Sequence, residues 1–314
     1  MELVVGDVEL LQLFSLVDGA GLQMLQRFDL DIIQASGTAA TRRILNGLNF
    51  LFHAPRLHDV QISSNMQDMA IPDLPWSQLT RLDLRLSPLS TSHILDILSK
   101  SPNLTDFSTI ITAYLNPLET VTIQPLVHAN LKYLNLVIST NFRHLFSRLT
   151  LPSLERLRVH CRTHISRGES DWGNLSSFLR RSAPPLDQLN LLLYWIPESD
   201  LLDCLTYVPS LTRFHCTADV QIDHILKAMT ISSKSKTDSH PVVLPRLDTL
   251  ILRGPTFAPQ SLTDMVLSRY GDTFSSPSSL RQVRLDVADE IEELEISTRL
   301  APLRELGLGL FLWP

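Results

Sequence analysis

Apolar and polar positions alternate along this chain in a phrase that keeps returning. In residues 74 to 87, LPWSQLTRLDLRLS, Leu79, Leu82 and Leu84 stand in an L-x-x-L-x-L frame a few residues after a proline. Leu82 and Leu84 are two apart, so on an extended strand both point to one face while Arg81, Asp83 and Arg85 point to the other. The frame recurs at Leu57, Leu104, Leu131, Leu154, Leu186, Leu211, Leu247, Leu280 and Leu303, with a weaker copy, LQRFDLDI, at Leu25. These eleven copies step from residue 25 to residue 303 at about 28 residues each.

Between the copies lie segments of helical period. STSHILDILSKSPNL places Ile94, Leu95, Ile97 and Leu98 at helix-compatible spacing, with Ser90 to Ser92 as capping candidates and Pro102 just past the end. NLSSFLRRSAPPL, ESDLLDCLTYVPSL and APQSLTDMVLSRYG repeat the design. The prolines stop each helix and set up the extended segment after it. A short strand cannot bury a face alone, so stacked neighbours must complete the core, and parallel strands need crossovers of this kind. The expected fold class is α/β: a leucine-rich-repeat solenoid, or horseshoe, of about eleven irregular repeats, with short parallel strands on the concave side and helices on the convex side. Residues 21–314 form the repeat domain, with polar, Ser-rich loop insertions at 231–241 and 271–279. Residues 1–20, which carry the amphipathic DVELLQLFSLVDG, read as an N-terminal helix or cap remnant.

Composition narrows the class of job. Among 314 residues, 44% are hydrophobic and 59 are leucine, enough for a large continuous core. A net charge of -6 gives no basis for non-specific binding of nucleic acid or an anionic membrane. No apolar run approaches the roughly 20 residues of a membrane span. The opening MELVVGDVELLQLF is acidic and lacks a cleavage site, so a signal peptide is not expected. Cys161, Cys204 and Cys216 are an odd, sparse set that fits a reducing compartment, cytoplasmic or nuclear.

The rung form P-x-L-x-x-L-x-L, the irregular period, and HAPRLHDVQIS followed by LPWSQLTRLDL resemble the leucine-rich-repeat region of F-box proteins from mushroom-forming fungi, over roughly residues 20 to 314. In that family an N-terminal F-box docks on the Skp adaptor of a cullin–RING ubiquitin ligase and the repeats select the substrate. The resemblance therefore implies a protein-interaction module for substrate recognition, with the Skp adaptor as partner only if an F-box exists upstream. An F-box opens with a Leu-Pro-x-Glu-type motif. None stands near the start here, and IPESD (196–200) is interior, in what reads as a repeat insertion. The F-box itself is not present in this chain, so no residue is assigned to docking. The uncapped apolar ending LRELGLGLFLWP fits a truncated chain. Many leucine-rich repeats also carry Asn three positions after the last strand leucine. Ser87, Ser139 and Arg162 occupy that position here, which disfavours the regular extracellular receptor type. The alternative is a free-standing interaction or inhibitor protein of the ribonuclease-inhibitor type, unrelated to ubiquitin.

Reaction chemistry is not expected. In the densest metal-like cluster, His160-Cys161-Arg-Thr-His164, strand alternation sends Cys161 inward and His160 outward, and no second ligand pair follows at zinc-like spacing. There is no phosphate loop, G-x-S-x-G elbow or H-E-x-x-H, and ADEIEELEIS (288–297) reads as a solvated acidic face. No cofactor, metal or catalytic residue is assigned. The candidate binding surface for an unknown protein ligand consists of the positions that alternate with the core leucines. They are Arg81, Asp83, Arg85, Asp106, Tyr133, Asn135, Arg156, Arg158, His160, Gln188, Asn190, Tyr194, Arg213, His215, Arg253 and Arg284. A basic and aromatic stripe over residues 133 to 215 would select an acidic peptide or protein surface.

Overall fold

The frame L-x-x-L-x-L places its strand at the third residue onward, and that is where strands lie in the computed structural model. The structure describes residues 2–4, 21–32, 48–64, 72–111, 125–138, 143–162, 172–231, 242–270, 280–286 and 290–313. Two compact units follow one another along the chain, residues 1–154 and 155–314. In the first, β1 (Glu2–Val4), β2 (Arg27–Ile32), β3 (Asp59–Ser64), β4 (Arg81–Leu89), β5 (Asp106–Ile111) and β7 (Tyr133–Ile138) pair in that order, all parallel. Between them, β6 (Leu126–Val127) pairs with β8 (Leu149–Thr150). In the second unit, β9 (Arg156–Cys161), β10 (Gln188–Trp195), β11 (Arg213–Asp219), β12 (Thr249–Arg253), β13 (Gln282–Asp286) and β14 (Gly309–Trp313) pair in parallel.

Helices run alongside the strands. The first unit has Thr91–Lys100 and Arg143–Arg148 together with 3-10 turns such as Leu48–His53. The second has Gly173–Ser182, Glu198–Thr206, Asp223–Met229, Pro259–Arg269 and Glu290–Glu305. The fold class is the expected α/β leucine-rich-repeat solenoid. Among the described residues no helix is long and apolar enough to cross a membrane. The segment DVELLQLFSLVDG, residues 232–241 of the first expected insertion and all of 271–279 lie outside the described residues.

Local signals act as read. Ser90 caps Thr91–Lys100 by accepting from the His93 amide at 3.3 Å, and Ile94, Leu95, Ile97 and Leu98 are buried on one face. At the helix end, buried His128 donates from Nε2 to the Ser101 carbonyl at 2.9 Å, satisfying an acceptor the helix leaves open. The frame leucines form the core. Leu79, Leu82 and Leu84 are 1% exposed or less, as are Leu131, Leu134 and Leu136. Burial of each such side chain stabilises by about 1.5–3 kcal/mol.

Neighbouring rungs are locked in register at the strand entrance. The amides of Thr80 and Arg81 both donate to the His58 carbonyl, at 2.8 and 3.0 Å, and those of Thr105 and Asp106 to Thr80. The same pair of hydrogen bonds recurs from the Thr212 and Arg213 amides to the Asp187 carbonyl, and from Arg281 and Gln282 to Asp248. A polar ladder accompanies it. Asn103 donates to the Ser77 carbonyl at 2.7 Å, Asn130 to Pro102 at 2.9 Å and Ser210 to Leu186 at 2.8 Å. Each of these residues immediately precedes the first frame leucine. The ladder therefore stands before the strand; of the three positions sought after it, Ser139 is outside the described residues and Arg162 is exposed.

Two expectations need correction. The last rung does not start at Leu303: Leu303 lies within the helix Glu290–Glu305, and Leu310 and Leu312, not Leu306 and Leu308, pair with Val283 and Leu285. IPESD is not an insertion. Ile196 is fully buried, Pro197 caps the helix Glu198–Thr206, and Glu198 accepts from the His224 backbone at 2.9 Å and bonds its ring at 2.7 Å. Asp223 repeats the device one rung on, accepting from the Ala258 amide at 3.0 Å. Carboxylates in the first turn of one helix thus satisfy the helix start that follows.

Arg269 was not foreseen. It is 5% exposed and donates to the carbonyls of Leu244 at 2.9 Å, Met229 at 2.7 Å and Val243 at 3.2 Å. Burial pushes its guanidinium down to about 10. Its three acceptors sit on both sides of residues 232–241, so one cation closes that long connection and holds Leu244 at φ 53. Arg269→Leu removes this donor from the Met229 and Val243 carbonyls, each loss costing about 1–3 kcal/mol, while Leu244 keeps only the Leu247 amide. Urea unfolding is expected to show a loss of roughly 3 kcal/mol or more, and Arg269→Lys is expected to recover only part of it.

Candidate interaction surface

Parallel pairing in register stacks equivalent residues of successive strands into rows about 4.8 Å apart. All sixteen candidate residues lie on strands, at positions that alternate with buried core residues. The first unit carries Arg81, Asp83 and Arg85 on β4, Asp106 on β5, and Tyr133 and Asn135 on β7. The second carries Arg156, Arg158 and His160 on β9, Gln188, Asn190 and Tyr194 on β10, Arg213 and His215 on β11, Arg253 on β12 and Arg284 on β13.

The first unit's face is internally compensated. One row reads Arg27, Asp59, Arg81, Asp106, Tyr133, so charge alternates from strand to strand. Asp59 stands 3.5 Å from Arg27 and 3.9 Å from Arg81, and Asp83 accepts from Arg85 at 3.0 Å. Burial raises the Asp83 carboxyl above its ordinary range, outweighing the pull of Arg85 and Arg81. Asn135 donates to the Ser108 hydroxyl at 3.4 Å, and Ser108 is only 8% exposed.

The second unit differs. Across β9, β10 and β11 the rows read Arg156, Gln188, Arg213; then Arg158, Asn190, His215; then His160, Leu192, Thr217. Three guanidiniums and two imidazoles share these nine places with no carboxylate. The acids that precede the strands are engaged at the rung junctions: Asp187 accepts from the Thr212 hydroxyl at 2.5 Å, and Asp248 stands 3.3 Å from Arg281. Among the described residues, neither Arg158 nor Arg213 makes an ion pair or a side-chain hydrogen bond. Burial lowers the His215 imidazole below its ordinary value, and Arg253 and Arg158 push the same way against Asp286. His160 is lowered likewise by burial, then by Arg158 and Arg162. Both shifts favour the neutral ring.

Beyond β11 the central row meets an apolar residue, then a cation, then an aromatic ring. The central row continues through Ile251 and Arg284 to Phe311, and the Arg284 guanidinium lies 5.0 Å from the Phe311 ring centroid. Phe311 is 45% exposed. The expected last frame ran ahead of its true register, which hid this residue; the alternating GLFLW with Phe at an outward place was the available signal. Tyr194, 42% exposed, donates its hydroxyl to the Arg162 carbonyl at 3.1 Å and so borders the grid rather than filling it.

The His160–Cys161 pair diverges as alternation requires: Cys161 is 5% exposed and its thiol is pushed up to about 12 by burial, while His160 lies on the opposite face. Cys216, fully buried, is pushed up to about 12 in the same way. Such thiols behave as small apolar core residues. Among the described residues no group of three potential ligands could hold a metal ion. No protein-family model matches this chain, and no curated protein matches it.

Titration checks the electrostatics of the grid. Proton NMR is expected to place the His160 and His215 midpoints below about 6.5, and Arg158→Gln is expected to raise both. Unchanged midpoints in that variant would mean Arg158 is remote from both rings.

Proposed function

We propose that this chain is a protein-recognition module whose second unit receives an acidic segment of its partner on β9, β10 and β11. The supporting observation is the contrast between the two units: the first pairs Arg27, Arg81 and Arg85 with its own aspartates, while among the described residues Arg158 and Arg213 of the second have no ion pair and lie with two histidines in nine contiguous places that hold no carboxylate. A partner carboxylate supplies the charge this face lacks, and complementarity of this kind selects partners and speeds their encounter.

Through the likeness of its repeat frame, the partner is a substrate of an F-box/cullin–RING ubiquitin ligase, with the Skp adaptor engaged by an F-box upstream of Met1. The transcript tests that context. A frame upstream that encodes a Leu-Pro-x-Glu helical module, in a product that captures the Skp adaptor, supports it. A frame without one leaves a free-standing interaction protein.

Binding itself is tested by fluorescence anisotropy with short Glu-rich and Lys-rich peptides. The Glu-rich peptide is expected to bind at least about tenfold more tightly. Arg158→Glu with Arg213→Glu is expected to abolish this preference, while Lys227→Gln on the helix Asp223–Met229 leaves it unchanged. Binding is expected to weaken on raising salt from about 0.05 to about 0.5 M. Its pH dependence has a defined sign. Partner carboxylates favour the charged imidazoles, so the complex raises the histidine values that the free protein holds low, and binding takes up protons. Affinity is then expected to rise as pH falls from about 7.5 to about 5.5, still above the carboxylate range. His160→Gln with His215→Gln is expected to flatten that slope. Equal binding of both peptides would remove the acidic-segment reading.

A further inference from the structure

The central row of the second unit carries basic residues at two separated places. The first is centred on Asn190, which has Arg158 on the strand to one side and His215 on the strand to the other. The second is Arg284, three strand steps away through His215 and Ile251. Arg284 is held in place from two directions. With its amide oxygen turned toward the guanidinium, Gln282 accepts from Nη2 at 2.9 Å and from Nε at 3.1 Å. The cation also stacks over Phe311, with 5.0 Å between the guanidinium carbon and the ring centroid. An arginine fixed in this manner gives up less side-chain freedom on meeting a ligand. The nearby acid Asp286 is turned to Arg253, 3.9 Å away, and among the described residues no carboxylate pairs with Arg284.

We infer that the two sites act as a ruler for an extended acidic segment lying across the rungs, with the recognition pattern acid-x-apolar-x-acid. The pattern rests on the acidic-segment reading above and adds a spacing to it. Three strand steps of about 4.8 Å separate the sites by about 14 Å. An extended peptide advances about 3.4 Å per residue and returns to the same face every second residue, so acids at i and i+4 reach both sites from one face. The residue between them, i+2, stands over the gap between His215 and Ile251, where the row becomes apolar. At physiological ionic strength the Debye length is about 8 Å, so the two sites are screened from each other. Only a ligand that physically bridges them gains from both, and the second contact then forms at the high effective concentration of a short tether.

A spacing series tests this with the full chain and synthetic Gly-Ser peptides carrying two Glu at i,i+2, i,i+3, i,i+4 or i,i+8, read by titration calorimetry. The i,i+4 peptide is expected to bind about tenfold or more tightly than the others, and Leu at i+2 is expected to improve it further. Arg284→Gln, an outward substitution, is expected to bring every spacing to one common affinity without abolishing binding. A flat series in the unaltered protein, with measurable affinity throughout, overturns the ruler and leaves acidic-segment recognition standing. A peak at i,i+4 that survives Arg284→Gln also overturns it, because Arg284 is then not the second site. Absence of binding by every peptide overturns both readings together.

Discussion

The structure depends on registration between rungs. Strands such as β4, β5, β11 and β13 are entered by two consecutive amides that donate to one carbonyl of the rung before, as Thr212 and Arg213 do to Asp187, whereas at β14 Gly309 alone donates to Arg281. That bond fixes which residue of one strand lies beside which residue of the next. A one-residue slip would turn every frame leucine outward and every strand arginine of the outward rows inward, so the hydrophobic core and the paired hydrogen bonds enforce the same answer. The polar residue before the first frame leucine strengthens the junction where the main chain alone would leave a carbonyl open, as Asn103 and Asn130 show. Once register is fixed, the outward face becomes a table: position along the frame gives the row, and order along the chain gives the column. The chemistry of the face follows from that table and from little else.

This explains what could be read in advance. Strand positions, their parallel order and the side on which each arginine stands all follow from a repeated local frame. The frame at Leu303 failed because L-x-x-L is also a helix spacing. Leu300 and Leu303 are buried as parts of the helix Glu290–Glu305, which continues through Pro302, a residue that elsewhere marks the helix end. The strand that follows takes its register from β13, a partner no local window contains. Arg269 escaped for a related reason. Its acceptors are main-chain carbonyls at Met229, Val243 and Leu244, and a carbonyl leaves no trace in residue type. The capping carboxylates Glu198 and Asp223 have partners one rung away, so a search within single helices reads them only as first-turn acids.

The candidate surface was legible as a set of outward residues but not as a division among them. Listed along the sequence, Arg81 and Arg158 look equivalent. Pairing separates them: Arg81 has Asp59 beside it in the next column, while Arg158 has Asn190. Exposed ion pairs of the first kind contribute about 0–1 kcal/mol, so their main consequence is not stability but the removal of charge available to a partner. The carboxylate-free rows of basic residues lie on β9, β10 and β11, in a chain whose net charge is -6.

A cluster of like charges opposes folding, and the composition of this grid limits that cost. His215 lies within the influence of both Arg158 and Arg253, and burial already disfavours its charged form. An arginine or lysine there would be ionised under all physiological conditions and would repel both neighbours. Histidine gives up its proton instead, so the free protein carries fewer charges in this region than its donor groups imply. Under the proposed reading the proton would return when an anion arrives, because the incoming carboxylate offsets the repulsion that had expelled it. The same ring would then be a neutral neighbour in the free state and a cationic ligand in the bound state. That difference between states, rather than the count of basic residues, is what would suit β11 to the centre of the proposed recognition surface.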